Sequence, residues 1–210
     1  MFSGIIEATE SILKTRPRDQ ALELILRRPL SFDDIKLGDS IAINGVCLTL
    51  ESFDSHSMTF TLGFETLKVL DTSFKFWLSY PVNLERSLSF GSRVHGHFVT
   101  GHMEKMLLVT KSEALGDNWI LRIELTPDLK EFCWKKGSVA INGVSLTVNS
   151  IEGLQLEVCL IPETQKRTNL TKYKVGDQIG FEPDTFSKAI SHILTQRAEA
   201  NIDSKIKTDF

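Results

Sequence analysis

The chain has 210 residues, 41% of them hydrophobic, and a formal net charge of -3, a composition that supports one or two globular cores. That charge supplies no basic field to hold nucleic acid or an acidic membrane. The start, Met1-Phe2-Ser3-Gly4-Ile5-Ile6-Glu7, has neither the positive charge nor the apolar run of a signal peptide, and no segment is long enough in apolar residues to span a bilayer. A soluble, cytoplasmic protein without nucleic-acid or membrane partners is expected.

Along the chain, the first clear pattern is residues 38 to 50. Ile41 and Ile43 alternate with Ser40, Ala42 and Asn44, and beyond Asn44-Gly45 the residues Val46, Leu48 and Leu50 alternate with Cys47 and Thr49. Asn-Gly between two alternating runs predicts a β-hairpin, because both residues tolerate the positive φ of a tight turn. Strand-like runs follow at Met58 to Leu62, Val82 to Leu84, Leu107 to Val109 and Trp119 to Leu125, and Pro127 to Trp134 reads as one short helix. A second hairpin has Val139 and Ile141 before Asn142-Gly143, then Val144, Leu146 and Val148. Strands at Leu154 to Ile161 and Gln178 to Phe181 complete the β pattern, which indicates small closed barrels or sandwiches. Phe186, Ile190, Ile193 and Leu194 form a stripe at helical spacing. The helix it predicts either packs on its own barrel or joins subunits, and Asn201 to Phe210 is expected to lack regular structure.

The two hairpins are copies of one unit. GDSIAINGVCLTL at 38 to 50 returns as KGSVAINGVSLTV at 136 to 148, Phe64-Glu65-Thr66 meets Pro162-Glu163-Thr164, and Ser3-Gly4 meets Thr100-Gly101. Two copies of this size predict two similar domains from duplication, with a boundary near residues 88 to 96 and two similar binding sites.

Opposite its apolar residues the first hairpin presents Ser40, Ala42, Asn44, Cys47 and Thr49, and the second presents Ser138, Ala140, Asn142, Ser145 and Thr147. A solvated strand face usually gathers charge, so these neutral, hydroxyl-rich faces point either to a neutral ligand with many hydrogen-bonding groups or to close strand packing. The copies differ where Cys47 stands against Ser145, and the junction segment from His95 to His102 concentrates histidines. Binding is therefore expected in both halves and chemistry in one. Cys47, Cys133 and Cys159 are an odd number at no metal-like spacing, so free thiols are expected. His95, His97 and Glu104 do not match a metal-ligand spacing, and GxGxxG, P-loop and GxSxG motifs are missing.

Met1-Phe2-Ser3-Gly4-Ile5, Asn44-Gly45-Val46-Cys47-Leu48-Thr49, Val82-Asn83-Leu84-Glu85-Arg86, Gly96-His97 with Gly101-His102, Asn142-Gly143-Val144-Ser145-Leu146-Thr147-Val148 and Leu160-Ile161-Pro162-Glu163-Thr164 together closely resemble the riboflavin synthases of the duplicated-barrel type. The resemblance runs from residue 1 to about 194. It implies an all-β fold of two six-stranded Greek-key barrels, at residues 1–92 and 93–185, with a C-terminal helix and tail at 186–210 that serve a homotrimer. The implied reaction is a dismutation of two 6,7-dimethyl-8-ribityllumazine molecules to riboflavin and 5-amino-6-ribitylaminouracil, with no cofactor and no metal. Lumazine synthase is a candidate partner.

By resemblance, the first barrel of one subunit meets the second barrel of a neighbour at the active centre. Ser40, Cys47 and His102 are then candidates for proton transfer or for assisting addition at C7, with His97, Phe2, Ser3 and Gly4 shaping the site. Lys136, Asn142, Ser145, Thr147, Ile161, Thr164 and Asp184 match substrate contacts of the second cup, and Thr49, Gly63, Phe64 and Thr66 are their first-cup counterparts. The second hairpin is expected to lack equivalents of the His97 and His102 pair. Asn142 stands where that family commonly has Asp, His95 and Lys105 where it commonly has Gly, and Val69 to Pro81 departs from the second copy. The alternative is a related lumazine protein, a light-emitting antenna that holds its ligand without turnover.

Overall fold

A computed structural model describes the backbone of residues 1–208 and the side chains of residues 1–198. The first half comprises β1 (Ala8–Glu10), β2 (Ile12–Arg18), β3 (Ala21–Arg27), β4 (Ser40–Ile43), β5 (Val46–Thr49), β6 (Ser52–Phe53), β7 (Ser57–Leu62), α1 (Phe64–Leu70), α2 (Phe74–Ser79) and β8 (Val82–Arg86). The second comprises β9 (Lys105–Leu115), β10 (Asn118–Glu124), α3 (Pro127–Lys130), β11 (Ser138–Ile141), β12 (Val144–Glu152), β13 (Gln155–Leu160), α4 (Pro162–Arg167) and β14 (Gln178–Pro183), followed by α5 (Thr185–Thr208).

The second half is a closed antiparallel barrel in the order β10-β13-β12-β11-β14-β9. Closure leaves no unpaired edge. The first half keeps the same cyclic order in two sheets, β2-β3-β7-β6 and β1-β8-β4-β5. Its interruptions fall where the second barrel shifts register, between Val148 and Ser150 of β12 and opposite Arg122 and Ile123 of β10. There the first barrel ends β5 before β6 and β1 before β2. A bulge bends a strand and sharpens its twist; the first barrel repeats the β9 bulge as a register shift between Ile12 and Lys14 of β2, while the corner made by the β12 bulge is made there by the break between β5 and β6.

Each barrel has its own core. One gathers Leu24, Leu26, Ile41, Ile43, Leu48, Phe60 and Trp77; the other gathers Val109, Leu121, Ile123, Val139, Ile141, Val158 and Phe181. α2 serves both: Trp77 is buried in the first core, while Phe76 and Tyr80 pack against Tyr173 with ring centroids 6.2 and 5.2 Å away. The Val69 to Pro81 departure thus contributes an aromatic bridge between barrels.

Several local expectations need correction. The helix predicted over Pro127 to Trp134 ends at Lys130, with Pro127 in its opening turn and Leu129 buried, and the chain beyond it packs Phe132 and Cys133 on the core without helical structure. α5 continues to Thr208, into the segment from Asn201 expected to lack regular structure, and residues 209–210 lie outside the described residues. No Gly or Pro interrupts residues 185–208, so nothing in the backbone chemistry stops the helix earlier. The β2–β3 hairpin carries no alternating pattern, as β2 is mostly exposed and includes Pro17.

Candidate functional site

The two hairpins register identically: Ser40 pairs with Thr49 and Ala42 with Cys47, as Ser138 pairs with Thr147 and Ala140 with Ser145. Asn44 and Asn142 adopt φ of 47° and 46°, as a tight Asn-Gly turn demands. The turns also pack on each other. A Cβ on Gly45 would lie 2.6 Å from the Gly143 nitrogen, and one on Gly143 would lie 2.7 Å from the Gly45 nitrogen. Glycine is needed twice there, for its φ and for the close approach.

A four-asparagine network closes the contact. Asn83 donates from Nδ2 to the Asn142 carbonyl at 2.9 Å and accepts the Asn169 amide at 2.8 Å; Asn169 donates from Nδ2 to Asn44 Oδ1 at 2.9 Å. Asn142 Oδ1 accepts the Gly180 amide at 2.8 Å. Asn142 is 1% exposed, so in the single chain its side chain is engaged in this network rather than open to solvent. The neutral hairpin faces are therefore partly a packing feature: Ala42, Asn44, Ala140 and Asn142 are buried between the halves, and Ser40, Cys47, Ser138 and Ser145 are half-buried.

The leading loop of each repeat crosses to the other repeat's hairpin. The Ser145 amide donates to the Gly4 carbonyl at 2.8 Å, and the Cys47 amide donates to the Gly101 carbonyl at 2.8 Å. Gly4 and Gly101 have φ of 75° and 80°, and a Cβ on either would lie 2.6 Å from the Cβ of Ser145 or Cys47 respectively. Phe2 bridges Val99 and is fully buried with Ala42 and Ala140. In the single chain it packs behind the hairpin walls.

His97 lies against the second hairpin. Its Nδ1 is 2.7 Å from Ser145 Oγ, so Ser145 does have an imidazole beside it, contrary to the expectation that His97 serves the Cys47 side. The cause is the crossing of the chain, which sequence spacing does not reveal. Burial lowers the His97 pKa against the opposing pull of Asp184, so the ring is neutral near pH 7 and can exchange a proton with the hydroxyl. His102 follows Gly101 and is exposed on the Cys47 side. Burial raises the Cys133 thiol to about 12, which removes it from nucleophilic chemistry.

A cavity of about 350 Å³ at the second hairpin is lined by Gly4, Ile6, Val144, Ser145, Ile161 and Thr164, among others. Four of the expected contacts meet there. Ile161 and Thr164 come from the start of α4, and their counterparts Gly63, Phe64 and Thr66 from the start of α1. Phe64 and Ile161 are 62% and 58% exposed, open to whatever covers each cup. Ser3 and Ser40 line a separate polar groove of about 480 Å³ with Glu7, Lys36, Glu85 and His95. Thr49, Thr147 and Lys136 are exposed on the hairpin flanks, and Asp184 caps α5 by accepting the Phe186 amide at 2.8 Å. Glu104 is ion-paired with Lys188, away from the histidines.

The lumazine binding domain family matches this chain at residues 3–87 and again at 100–184. The fold and the paired hairpins thus define a protein with that domain twice. The riboflavin synthase of Actinobacillus pleuropneumoniae is 33% identical over the whole chain and 97% of its own length, and that of Bacillus subtilis is 30% identical over the same shares. The chain belongs to the riboflavin synthase family of enzymes. Among solved structures, LumP complexed with riboflavin superposes with a TM-score of 0.78 at 22% identity, and LumP complexed with 6,7-dimethyl-8-(1'-D-ribityl) lumazine with 0.77 at 20%. Each alignment covers 87% of this chain and 99% of the other, and at that identity it speaks for the fold.

Proposed function

We propose that the protein converts two molecules of 6,7-dimethyl-8-ribityllumazine into riboflavin and 5-amino-6-ribitylaminouracil, passing a four-carbon unit from one to the other. The observation that carries this reading is the duplicated but unequal site. Cys47 and Ser145 hold equivalent hairpin positions, each under the glycine of the other repeat's leading loop, so two like cups can seat two copies of one substrate with different groups at the reacting edge.

The hydroxyl- and amide-bearing walls suit a ribityl chain and a uracil-like ring edge. Bringing two substrates into register can supply roughly 7 to 11 kcal/mol of the barrier. The substrate's own ring system stabilises the carbanion formed when the C7 methyl loses a proton. Neutral His97 beside Ser145, with Cys47, Ser40 and His102 at the first cup, would move protons, for roughly 10²- to 10⁴-fold more.

In the single chain Phe64 and Ile161, at equivalent places in the two repeats, are left exposed. The exposed stripe Phe186, Ile190, Ile193 and Leu194 on α5 supports a homotrimer in which the first barrel of one subunit covers the second barrel of the next. No helix among the described residues is long and apolar enough to cross a membrane, in keeping with a role in the cytoplasm. Cys47→Ser tests the unequal site: turnover should fall far more than lumazine affinity, the signature of an interaction used in the transition state. Full turnover with binding intact would remove Cys47 from the chemistry. Tight binding of lumazine by the unaltered protein, with no riboflavin formed, would favour the antenna reading instead.

A further inference from the structure

Behind the two leading loops lies a pair of buried carboxylates that the reaction itself does not use. Glu85 on β8 accepts the Ser3 amide at 2.7 Å, the Ser3 hydroxyl at 2.8 Å and the Gly4 amide at 3.0 Å. Glu182 on β14 accepts the Thr100 amide at 2.7 Å, the Thr100 hydroxyl at 2.7 Å and the Gly101 amide at 3.1 Å. The two carboxylates are 3% and 5% exposed. Hydrogen bonds to a charged group are shorter and about twice as strong as neutral ones, and the low dielectric around buried groups strengthens them further. For Glu85, burial pushes the pKa up against the donors from Ser3 and Gly4. Those donors, with the Ile5 amide, offset the cost of burying the charge.

The residues held in this way reach across to the other barrel. Ser3 and Gly4 are clamped by the first barrel, but Gly4 lies on Ser145 of the second, and the Ser3 carbonyl accepts the His97 amide at 3.2 Å. Thr100 and Gly101 are clamped by the second barrel, but Gly101 lies on Cys47 of the first. We propose that Glu85 and Glu182 are positioning residues wired crosswise: Glu85 in the first barrel sets the wall of the Ser145 cup, and Glu182 in the second barrel sets the wall of the Cys47 cup.

The consequence is that neither cup is complete within its own barrel. A disturbance in one barrel is read out at the other barrel's reactive residue. The leading loops would then be the route by which the occupancy of one cup alters the geometry of the other. This rests on reading Cys47 and Ser145 as walls of two ligand sites, but the wiring can be observed without substrate, so its failure and the failure of that reading are separable.

The test uses Glu85→Gln and Glu182→Gln in the full chain with two local probes. One is the rate at which iodoacetamide alkylates Cys47, resolved from Cys133 and Cys159 by peptide mass spectrometry. The other is the titration of the His97 ring, followed by NMR with labelled histidine. Glu182→Gln should change the Cys47 alkylation rate by roughly 10-fold, the equivalent of about 1.4 kcal/mol in loop docking, and move His97 less. Glu85→Gln should raise the His97 midpoint toward that of a free histidine and leave the Cys47 rate within about twofold, the error of such a comparison of single contacts. If a glutamine variant does not fold, Ser3→Ala and Thr100→Val remove one donor from each clamp and should give the same crossed pattern in smaller measure. Turnover separates this from a purely structural role: Glu182→Gln should lower kcat, as loss of a wall at the reacting cup does, at unchanged folded fraction. Each carboxylate moving the probe of its own barrel, both probes moving equally with either variant, or neither moving would overturn the proposal.

Discussion

Replacing Gly101 by alanine tests the close approach on which the Cys47 site depends. Two costs add. A φ of 80° puts the residue in the left-handed region, which costs an L side chain roughly 1–2 kcal/mol. The new Cβ would also lie 2.6 Å from the Cys47 Cβ, 2.9 Å from its nitrogen and 3.1 Å from its Cα. Those atoms are backbone or fixed to it, so no rotamer change relieves the overlap, and forcing such a contact costs typically about 1–3 kcal/mol. The total is about 2–5 kcal/mol against a domain stability of about 5–15 kcal/mol. Gly38 supplies the control, since it has a φ of 89° but nothing within 4 Å of the place a Cβ would occupy. Gly38→Ala should therefore show the backbone cost alone. Urea unfolding of both variants isolates the contact as their difference, expected at about 1–3 kcal/mol. If Gly101→Ala is no less stable than Gly38→Ala, the loop does not press on the hairpin and the description of the site fails.

Asn83→Ala should cost about 2–5 kcal/mol in equilibrium unfolding, because it strands the buried Asn142 carbonyl and Asn169 amide that Asn83 satisfies; a loss below about 0.5 kcal/mol would show that the barrels do not rely on this network. The His97 ring should titrate below the ordinary histidine range, since burial is the first cause of its lowered pKa. An unfolded chain then takes up a proton at this site before the folded one does, so stability falls as pH drops from the ordinary histidine value through the lowered one. His97→Gln should flatten that part of the profile, and an unchanged profile would count against burial as the cause. If the proposed trimer forms, truncation after Asp184, which removes Phe186, Ile190, Ile193 and Leu194, should lower the sedimenting mass to smaller species along with turnover; an unchanged mass would exclude α5 from the assembly.

The hairpins were legible because period-two alternation on both sides of Asn-Gly has few competing solutions, and the duplication showed which positions are equivalent. What the sequence could not show was where the chain crosses. His97 precedes Gly101 by four positions, yet the first reaches Ser145 and the second Cys47, because a segment running between two barrels touches both. β3, with Ala21, Leu22, Glu23, Leu24, Ile25 and Leu26, has no clear alternation, since Ala21, Leu22 and Ile25 are half-buried along with the fully buried Leu24 and Leu26. Asn142 is expected at the substrate from its match to the family's contacts; only the fold shows that its Oδ1 and that of Asn44 are bonded where the turns meet. The carboxylates Glu85 and Glu182 lay outside the candidate site for a similar reason: each acts through a loop that belongs to the other cup.

The proposed reaction, in which two unequal cups join two copies of one substrate, has a fixed stoichiometry. It is measured most directly as the amount of 6,7-dimethyl-8-ribityllumazine consumed for each riboflavin formed by the purified protein, with 5-amino-6-ribitylaminouracil followed in the same reaction. Two lumazines should disappear for each riboflavin, with one uracil product released alongside. Lumazine that binds and is recovered unchanged, or riboflavin without the uracil product, would contradict the proposed chemistry.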